Sequence, residues 1–286
     1  MILRLTSEEI EYLRDRRYRR TRLLRVKTIE EALEFVNDVG FCFAFSARNS
    51  ELPCLWHAAC GERNPVMPQH THHDPYIGLV WQAKDVLSAQ RQIYYGKALK
   101  KRPTMISLHY FPYFYKLSGK SGDPEQYAAE YMRGDLSVAA RRIMDALTEQ
   151  TPQITRDLKL ASGYSSPQKR YEFDQGIAEL QMKMYMVKIA EFYDPFTFLW
   201  DLVPNQFPEA IQLASQISED DARREILKKY FENVFVANTS QIIRLFAWPK
   251  QVTEEILALL RDEGFLMDVK IVDRSGEWLG LSEEIG

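Results

Sequence analysis

The sequence predicts an α+β fold that is mainly helical with small β-hairpins, organised as three tandem winged helix-turn-helix units. The main observation is the order of elements in about the last seventy residues, where three helical patterns precede two strand-like runs. A second is that this order recurs about eighty residues upstream without repeating the residues themselves. A third is the pair of well-capped helical patterns near the N-terminus, which we assign to the first unit.

The C-terminal unit, residues 216–286, carries the pattern most clearly. Its first helix starts at residues 218–221 (Ser-Glu-Asp-Asp), and apolar residues follow at helical spacing. A second short helix can begin at Asn238, a favoured N-cap residue, and a third at Pro249. Gly264 is suited to end that helix. The runs 265–272 and 277–281 then predict a hairpin joined by Asp-Arg-Ser-Gly.

The middle unit, residues 125–204, repeats this order less cleanly. Residues 137–150 and 155–161 predict two helices, and Ser166 with Pro167 begins a third. The runs 185–190 and 196–202 flank a Tyr-Asp-Pro turn and predict a second hairpin.

The N-terminal unit, residues 1–118, combines two helices with an aromatic-rich connecting block. Thr6 begins the first helix, and residues 28–31 (Thr-Ile-Glu-Glu) form a capping box for the second, which ends at Gly40. Residues 41–46 then read as an apolar strand or a buried turn. Residues 117–124 (LSGKSGDP) are the best linker in the chain and predict the boundary to the middle unit.

The bulk composition is that of an ordinary globular protein. The 286 residues are 45% hydrophobic and 27% charged, and no apolar run approaches the roughly 20 residues that span a bilayer. The N-terminus lacks the apolar segment of a signal peptide. Three cysteines are too few for a disulfide scaffold and suit a reducing compartment. We therefore expect a cytoplasmic protein with no membrane partner; the composition carries no signal for an oligomeric state.

Charge is distributed unevenly around a net value of −3. Residues 1–27 have a net charge of +5, residues 91–102 have +5 with no acidic residue, and residues 204–286 have −6. We therefore expect any nucleic acid to contact the first half of the chain and the middle unit. The candidate DNA-binding residues are Arg16, Arg17, Arg19, Arg20, Lys97, Lys100, Lys101, Arg102, Lys169 and Arg170. The alternative for the arginines is pairing with nearby acids such as Glu8, Glu9, Glu11 and Asp15.

Several segments carry a family pattern in the same order along the chain. They are residues 52–61 (LPCLWHAACG), 80–87 (VWQAKDVL) and 94–97 (YYGK), and the winged-helix patterns around residues 155–158 and 222–267. Together they resemble the winged-helix DNA glycosylases of the AlkZ/YcaQ group, and more closely the AlkZ-related proteins. The resemblance implies three winged-helix units around a concave face of a size that fits DNA. DNA is therefore the expected partner, and we expect no cofactor.

The resemblance does not extend to the catalytic motif of these glycosylases. That motif follows the glycine that ends the second helix, and consists of Gln, an apolar residue, then Asp or Gln. Placed after Gly40, its positions fall on Phe43, Ala44 and Phe45. Phenylalanine cannot hydrogen-bond the attacking water, so we expect no catalytic residue here.

A cluster of metal-binding residue types follows this position. Cys54, His57 and Cys60 precede the run His70 to His73, which together supply enough donors for a tetrahedral zinc site. The alternative is that the first three share a buried helix face, where cysteine behaves as a small apolar residue. We expect no bound metal.

Three functions stay open at this point. The preferred one is a DNA-binding, repair-related or lesion-binding protein without base excision. The second is an active DNA glycosylase with a relocated catalytic group such as Glu51 or Asp74. The third is a non-catalytic protein-interaction scaffold, which the acidic C-terminal unit favours.

Overall fold

The computed structural model describes residues 3–45, 52–123 and 125–285. Helices combine with small sheets, so the fold is α+β, as the sequence predicted. The chain forms two compact units. The composite unit consists of Met1–Trp81 and Glu219–Gly286, and the central unit consists of Gln82–Ser218. Within the described ranges, no helix is both long and apolar enough to cross a membrane.

The helices and strands follow in chain order. The first stretch contains β1 (Leu3–Leu5), α1 (Ser7–Arg17), α2 (Ile29–Val39), β2 (Phe41–Phe43), α3 (Leu55–Cys60), α4 (Pro75–Ala89), β3 (Ile93–Leu99) and β4 (Arg102–Ser107). The second contains α5 (Phe111–Leu117), α6 (Gln126–Met132), α7 (Val138–Glu149), β5 (Gln153–Ile154), α8 (Thr155–Ala161), α9 (Arg170–Met182), β6 (Met186–Tyr193) and β7 (Phe196–Leu202). The third contains α10 (Val203–Gln206), α11 (Pro208–Ser215), α12 (Glu219–Val234), β8 (Val236–Ala237), α13 (Thr239–Phe246), α14 (Lys250–Asp262), β9 (Leu266–Ile271), β10 (Trp278–Leu281) and α15 (Ser282–Ile285).

The predicted helix starts are confirmed by their caps. Thr6 and Asn238 each form a capping box, and Thr28 and Ser137 accept a backbone N–H bond at the N-caps of α2 and α7. These side chains satisfy N–H groups that a helix start leaves without partners. Gly40 ends α2 with a φ of 75°, a conformation that favours glycine.

The order of elements recurs along the chain. A helix, a short strand, two helices and a hairpin follow one another in α2 to β4, in α7 to β7 and in α12 to β10. In the last two sets, the short strand is hydrogen-bonded to the second strand of the hairpin, because β5 pairs with β7 and β8 pairs with β10.

The composite unit joins the two ends of the chain through one sheet. Its strand order is β1-β9-β10-β8, and β1 lies parallel to β9, with Leu3 opposite Val269. The buried Arg14 on α1 donates to the carbonyl oxygens of Val234 and Val236, at 2.9 and 3.1 Å. Sequence analysis did not predict this association of the N-terminal segment with the C-terminal elements.

The central unit has its core between α7, α9 and the β5-β7-β6 sheet. Ile143 and Leu180 are fully buried there, and Trp200 on β7 is nearly so. The segment predicted as a linker lies inside this unit, where the Lys120 ammonium on that loop pairs with the Glu130 carboxylate on α6. The division into units 1–118, 125–204 and 216–286 stays a prediction, and the compact units divide the chain after Trp81 and Ser218.

Candidate nucleic-acid interface

The β3–β4 hairpin presents the densest group of predicted DNA-binding residues. Leu99 is paired with Arg102, so the loop between the strands is only two residues long. Those residues, Lys100 and Lys101, have φ angles of 53° and 57°. Positive φ at both central positions is the signature of a type I′ turn, which normally takes Asn-Gly. The hairpin therefore places two lysines in a conformation that L-residues adopt at a cost.

The side chains at this tip are available to a ligand. Lys100 and Lys101 are exposed, and Lys97 is half-buried on β3. Residues 91–102 contain no acidic residue, so the segment that forms the tip carries only positive charge. The Thr104 hydroxyl accepts from the Leu99 N–H at 3.3 Å and donates to the Arg102 carbonyl at 2.9 Å, which braces the base of the turn.

The start of α9 is a second exposed basic site in the central unit. A turn of 3-10 helix over Pro167–Lys169 leads into α9, and both Lys169 and Arg170 are exposed. The Arg170 guanidinium lies 3.7 Å from the Asp174 carboxylate, and both side chains are more than half exposed. An exposed ion pair of this kind is weak, so Arg170 can turn to a phosphate at little cost.

The predicted N-terminal arginines divide into two groups in the composite unit. Arg20 pairs with Glu11 and Asp15, at 2.8 and 3.0 Å, and its side chain is 9% exposed. Arg17 pairs with Asp38 and donates to the Asn233 side chain. Arg17 and Arg20 therefore form ion pairs within the unit, as the alternative interpretation of the arginine run expected.

Arg16 and Arg19 lie at the end of α1 and just after it. Arg16 is exposed, and it forms no ion pair within the described part of the chain. Arg19 is half-buried, with its guanidinium 5.7 Å from the centre of the Phe35 ring. Among the predicted N-terminal arginines, Arg16 is thus the most accessible to a ligand in solution.

The position of the glycosylase motif lies in the core of the composite unit. Phe43 and Ala44 are 1% and 0% exposed, and the Phe43 N–H donates to the Pro53 carbonyl at 3.0 Å. Phe45 is half-buried. Phe43, on β2, and Ala44 are thus closed off from solvent, and of these three positions Phe45 alone has exposed surface.

Glu51 and Asp74 were the two alternative candidates for a relocated catalytic carboxylate. Glu51 lies outside the described residues. One oxygen of Asp74 accepts the backbone N–H groups of Tyr76 and Ile77, at 3.0 and 2.8 Å. Asp74 therefore acts as the N-cap of α4, a structural role that occupies this oxygen.

The cysteine and histidine cluster is divided in the structure: Cys54 and Cys60 are buried at the two ends of α3, whereas His70, His72 and His73 lie outside α3 and are exposed. Burial raises the pKa of Cys54 and of Cys60 to about 12, so both thiols stay protonated at neutral pH. Burial, followed by the nearby Arg20 charge, lowers the pKa of His57 to about 4. Within residues 3–45, 52–123 and 125–285, no group of three His, Cys, Asp or Glu side chains is arranged to hold a metal ion.

Sequence analysis missed a buried charge network that joins α4 to strand β6 of the β6–β7 hairpin. The Lys84 ammonium on α4 pairs with Asp85 and with Glu191, both at 2.6 Å. Lys188 on β6 pairs with the same Glu191 carboxylate and lies 3.6 Å from Asp85. Burial, followed by the Lys84 charge, lowers the pKa of Lys188 to about 7. Only the tertiary structure brings these residues together, so no local sequence signal could have revealed them.

Comparison with known proteins relates this fold to a solved structure and to a protein family. No curated protein matches the sequence closely enough to count as a relative. A solved structure, the Streptomyces sahachiroi DNA glycosylase AlkZ, matches with a TM-score of 0.63 at 12% identity, over 98% of this chain and 71% of that chain. At this identity the match shows a shared fold alone. The family model "AlkZ related" matches residues 26–247, most of the sequence. The resemblance drawn from the sequence is confirmed, and the chain belongs to the AlkZ-related family.

Proposed function

We propose that this chain is a DNA-binding protein of tandem winged helices, related to DNA repair, that binds DNA without excising a base. The observation that carries the proposal is the β3–β4 hairpin, whose tip presents exposed Lys100 and Lys101 with no acidic residue in the surrounding segment. Cationic side chains on a projecting hairpin attract the phosphates of DNA and release the counterions bound to them.

The recurring order of elements supports the winged-helix part of the proposal. A helix-turn-helix followed by a hairpin binds DNA with its third helix in the major groove. In the central unit that helix is α9, which begins with the exposed Lys169 and Arg170. Family membership adds to this argument, because the AlkZ protein of shared fold is a DNA glycosylase.

The lack of base excision rests on the residues at the motif position. A glycosylase needs a polar side chain to hold and activate water at the sugar–base bond. Here Phe43 is fully buried, and the alternative Asp74 is engaged as a helix cap. Release of a modified base from alkylated DNA would contradict this part of the proposal.

The test is a fluorescence-anisotropy titration of a labelled duplex at several salt concentrations. Each phosphate contact contributes about −0.9 to the slope of log K against log [salt]. Contacts from Lys97, Lys100, Lys101, Lys169 and Arg170 predict a slope of about −4.5 for the unmodified protein. K100A/K101A should bring the slope to about −2.7, because two of these contacts are lost.

The matched control is K250A/K270A, which removes two exposed lysines from the acidic C-terminal elements. It changes the net charge equally and should leave the slope unchanged. DNA binding that is absent, or that does not depend on salt, would contradict the proposal. An interaction scaffold would instead be indicated by stable association with a protein partner and no DNA binding.

A further inference from the structure

The tip of the β6–β7 hairpin exposes a group of aromatic side chains that DNA binding through basic residues leaves unexplained. Phe192, Tyr193 and Phe196 are 46%, 67% and 61% exposed. They surround the turn at Asp194 and Pro195, both of which are exposed. Large apolar rings cost free energy in water, so three at one hairpin tip indicate a surface that contacts something.

Two of these rings, Tyr193 and Phe196, belong to a continuous ladder that is anchored in the core. Phe196, Phe198 and Trp200 alternate along β7 and therefore share one face of the strand. Their ring centroids are 5.1 and 5.7 Å apart in succession, and Tyr193 lies 6.0 Å from Phe196. Trp200 is only 5% exposed, and its indole N–H donates to the Thr155 hydroxyl at 3.0 Å.

The hairpin is also held close to its tip, so the aromatic surface there is preorganised. The Tyr193 hydroxyl donates to Asp85 at 2.6 Å, and this bond is the main cause that raises the pKa of Tyr193 to about 12. Asp85 is in turn paired with Lys84, and the ammonium of Lys188 lies 5.3 Å from the Phe198 ring centroid. A rigid aromatic surface loses little conformational entropy when a flat ligand stacks on it.

We infer that the aromatic tip of this hairpin, with Tyr193 and Phe196 on one face and Phe192 on the other, is a stacking surface for unpaired nucleobases. The inference rests on the proposed DNA binding. In a paired duplex each base face is covered by its neighbours, so only unpaired or displaced bases offer a free face to a protein ring. The central unit supplies the complementary charge for the attached phosphates through Lys100, Lys101 and Lys169.

The charge at the tip itself favours base faces over other occupants. Asp194 is exposed in the turn that joins Tyr193 to Phe196 and would repel a phosphate or an anionic lipid headgroup. A tip that binds a membrane surface is instead expected to carry Lys or Arg next to its aromatic residues. An uncharged base face suits both the rings and the carboxylate beside them.

The experiment compares two labelled DNAs of equal length, one fully paired and one with a central bubble of unpaired thymines. The protein should bind the bubble about tenfold more tightly, since each stacked base contributes roughly a factor of ten. F192S/F196S should lose this preference while its affinity for the paired duplex stays the same. Both residues are exposed, so the variant should fold normally. L213S, which replaces another exposed apolar residue of the central unit, should behave like the unmodified protein.

The outcomes separate this inference from the proposed function. Salt-dependent binding of both DNAs with no preference, or a preference that F192S/F196S retains, overturns the stacking surface and leaves DNA binding intact. Absence of binding to either DNA overturns both. Binding to neutral phosphatidylcholine vesicles that F192S/F196S abolishes, without a bubble preference, would assign the tip to a lipid surface and so overturn the inference.

Discussion

Replacing the lysines of the β3–β4 turn with the residues that its geometry prefers should raise stability and lower DNA affinity together. Lys100 and Lys101 have φ angles of 53° and 57°, and an L-residue in this region costs about 1–2 kcal/mol. Asn followed by Gly fits such a turn, although the glycine loses about 0.5–1 kcal/mol through its freer unfolded state. K100N/K101G should therefore raise the free energy of unfolding by about 2 kcal/mol.

Two assays measure the two effects on the same variant. A gain of about 2 kcal/mol corresponds to a rise in Tm of about 4–8 °C for a protein of this size class. Loss of two phosphate contacts should reduce the magnitude of the salt slope by about 2. K100A/K101A is the matched variant, because it removes the same charges but retains a side chain in the left-handed region. It should lose the same affinity with no gain in Tm.

The reasoning fails if K100N/K101G melts at or below the Tm of the unmodified protein, because the turn would then store no strain. It also fails if Tm rises and the salt slope is unchanged, because the lysines would then not contact phosphate.

Three further predictions concern the composite unit. R14M should lower the free energy of unfolding by about 3 kcal/mol in urea titrations. The reason is that the buried carbonyl oxygens of Val234 and Val236 lose the Arg14 guanidinium as their hydrogen-bond donor. Equal stability of R14M and the unmodified protein would show that these bonds contribute nothing. His57 is held neutral in the folded state, with its pKa lowered from 6.5 to about 4. The stability that depends on neutral His57 should be complete above about pH 6.5 and be lost as the pH falls towards 4, whereas H57Q should give a flatter Tm profile over that window. D74A should cost about 1 kcal/mol through the loss of the α4 N-cap; if Asp74 is instead a relocated catalytic group, the unmodified protein should release a base from alkylated DNA and D74A should abolish that release.

Local chemistry explains which parts of the fold could be predicted from the sequence. Thr6, Ser137 and Asn238 begin helices because their side chains satisfy backbone groups only a few residues away. Such signals are complete within a short window of sequence. The helices α7 to α9 and α12 to α14 and the hairpins that follow them were accordingly predicted, whereas α6, α10 and α11 were not.

Pairings between distant residues explain what could not be predicted. β1 joins β9 across most of the chain, and Arg14 bonds to carbonyls more than two hundred residues away. Nothing near Leu3 or Arg14 in the sequence specifies these partners. The same limit applies to Arg17 and Arg20. In the sequence nothing distinguishes them from the exposed Arg16, and only their partners in the folded protein do so.

The candidate interface likewise has one part that could be predicted from the sequence and one part that could not. The absence of acids in residues 91–102 identified a basic segment, because charge composition can be read directly. That this segment forms a hairpin was not predicted. The aromatic tip of β6–β7 was predicted only as a hairpin, since alternating aromatics on a strand are more often core residues. The exposure of Phe192 and Phe196 required the three-dimensional structure.

The most direct test of non-catalytic DNA binding follows one alkylated duplex in a single experiment. The protein is mixed in excess with duplex DNA that carries alkylated purines, and bound DNA and released free base are quantified in the same samples over time. The proposal predicts a complex that dissociates as salt is added, with no base released above the protein-free control. Base release under these conditions, or no complex at low salt, would contradict it.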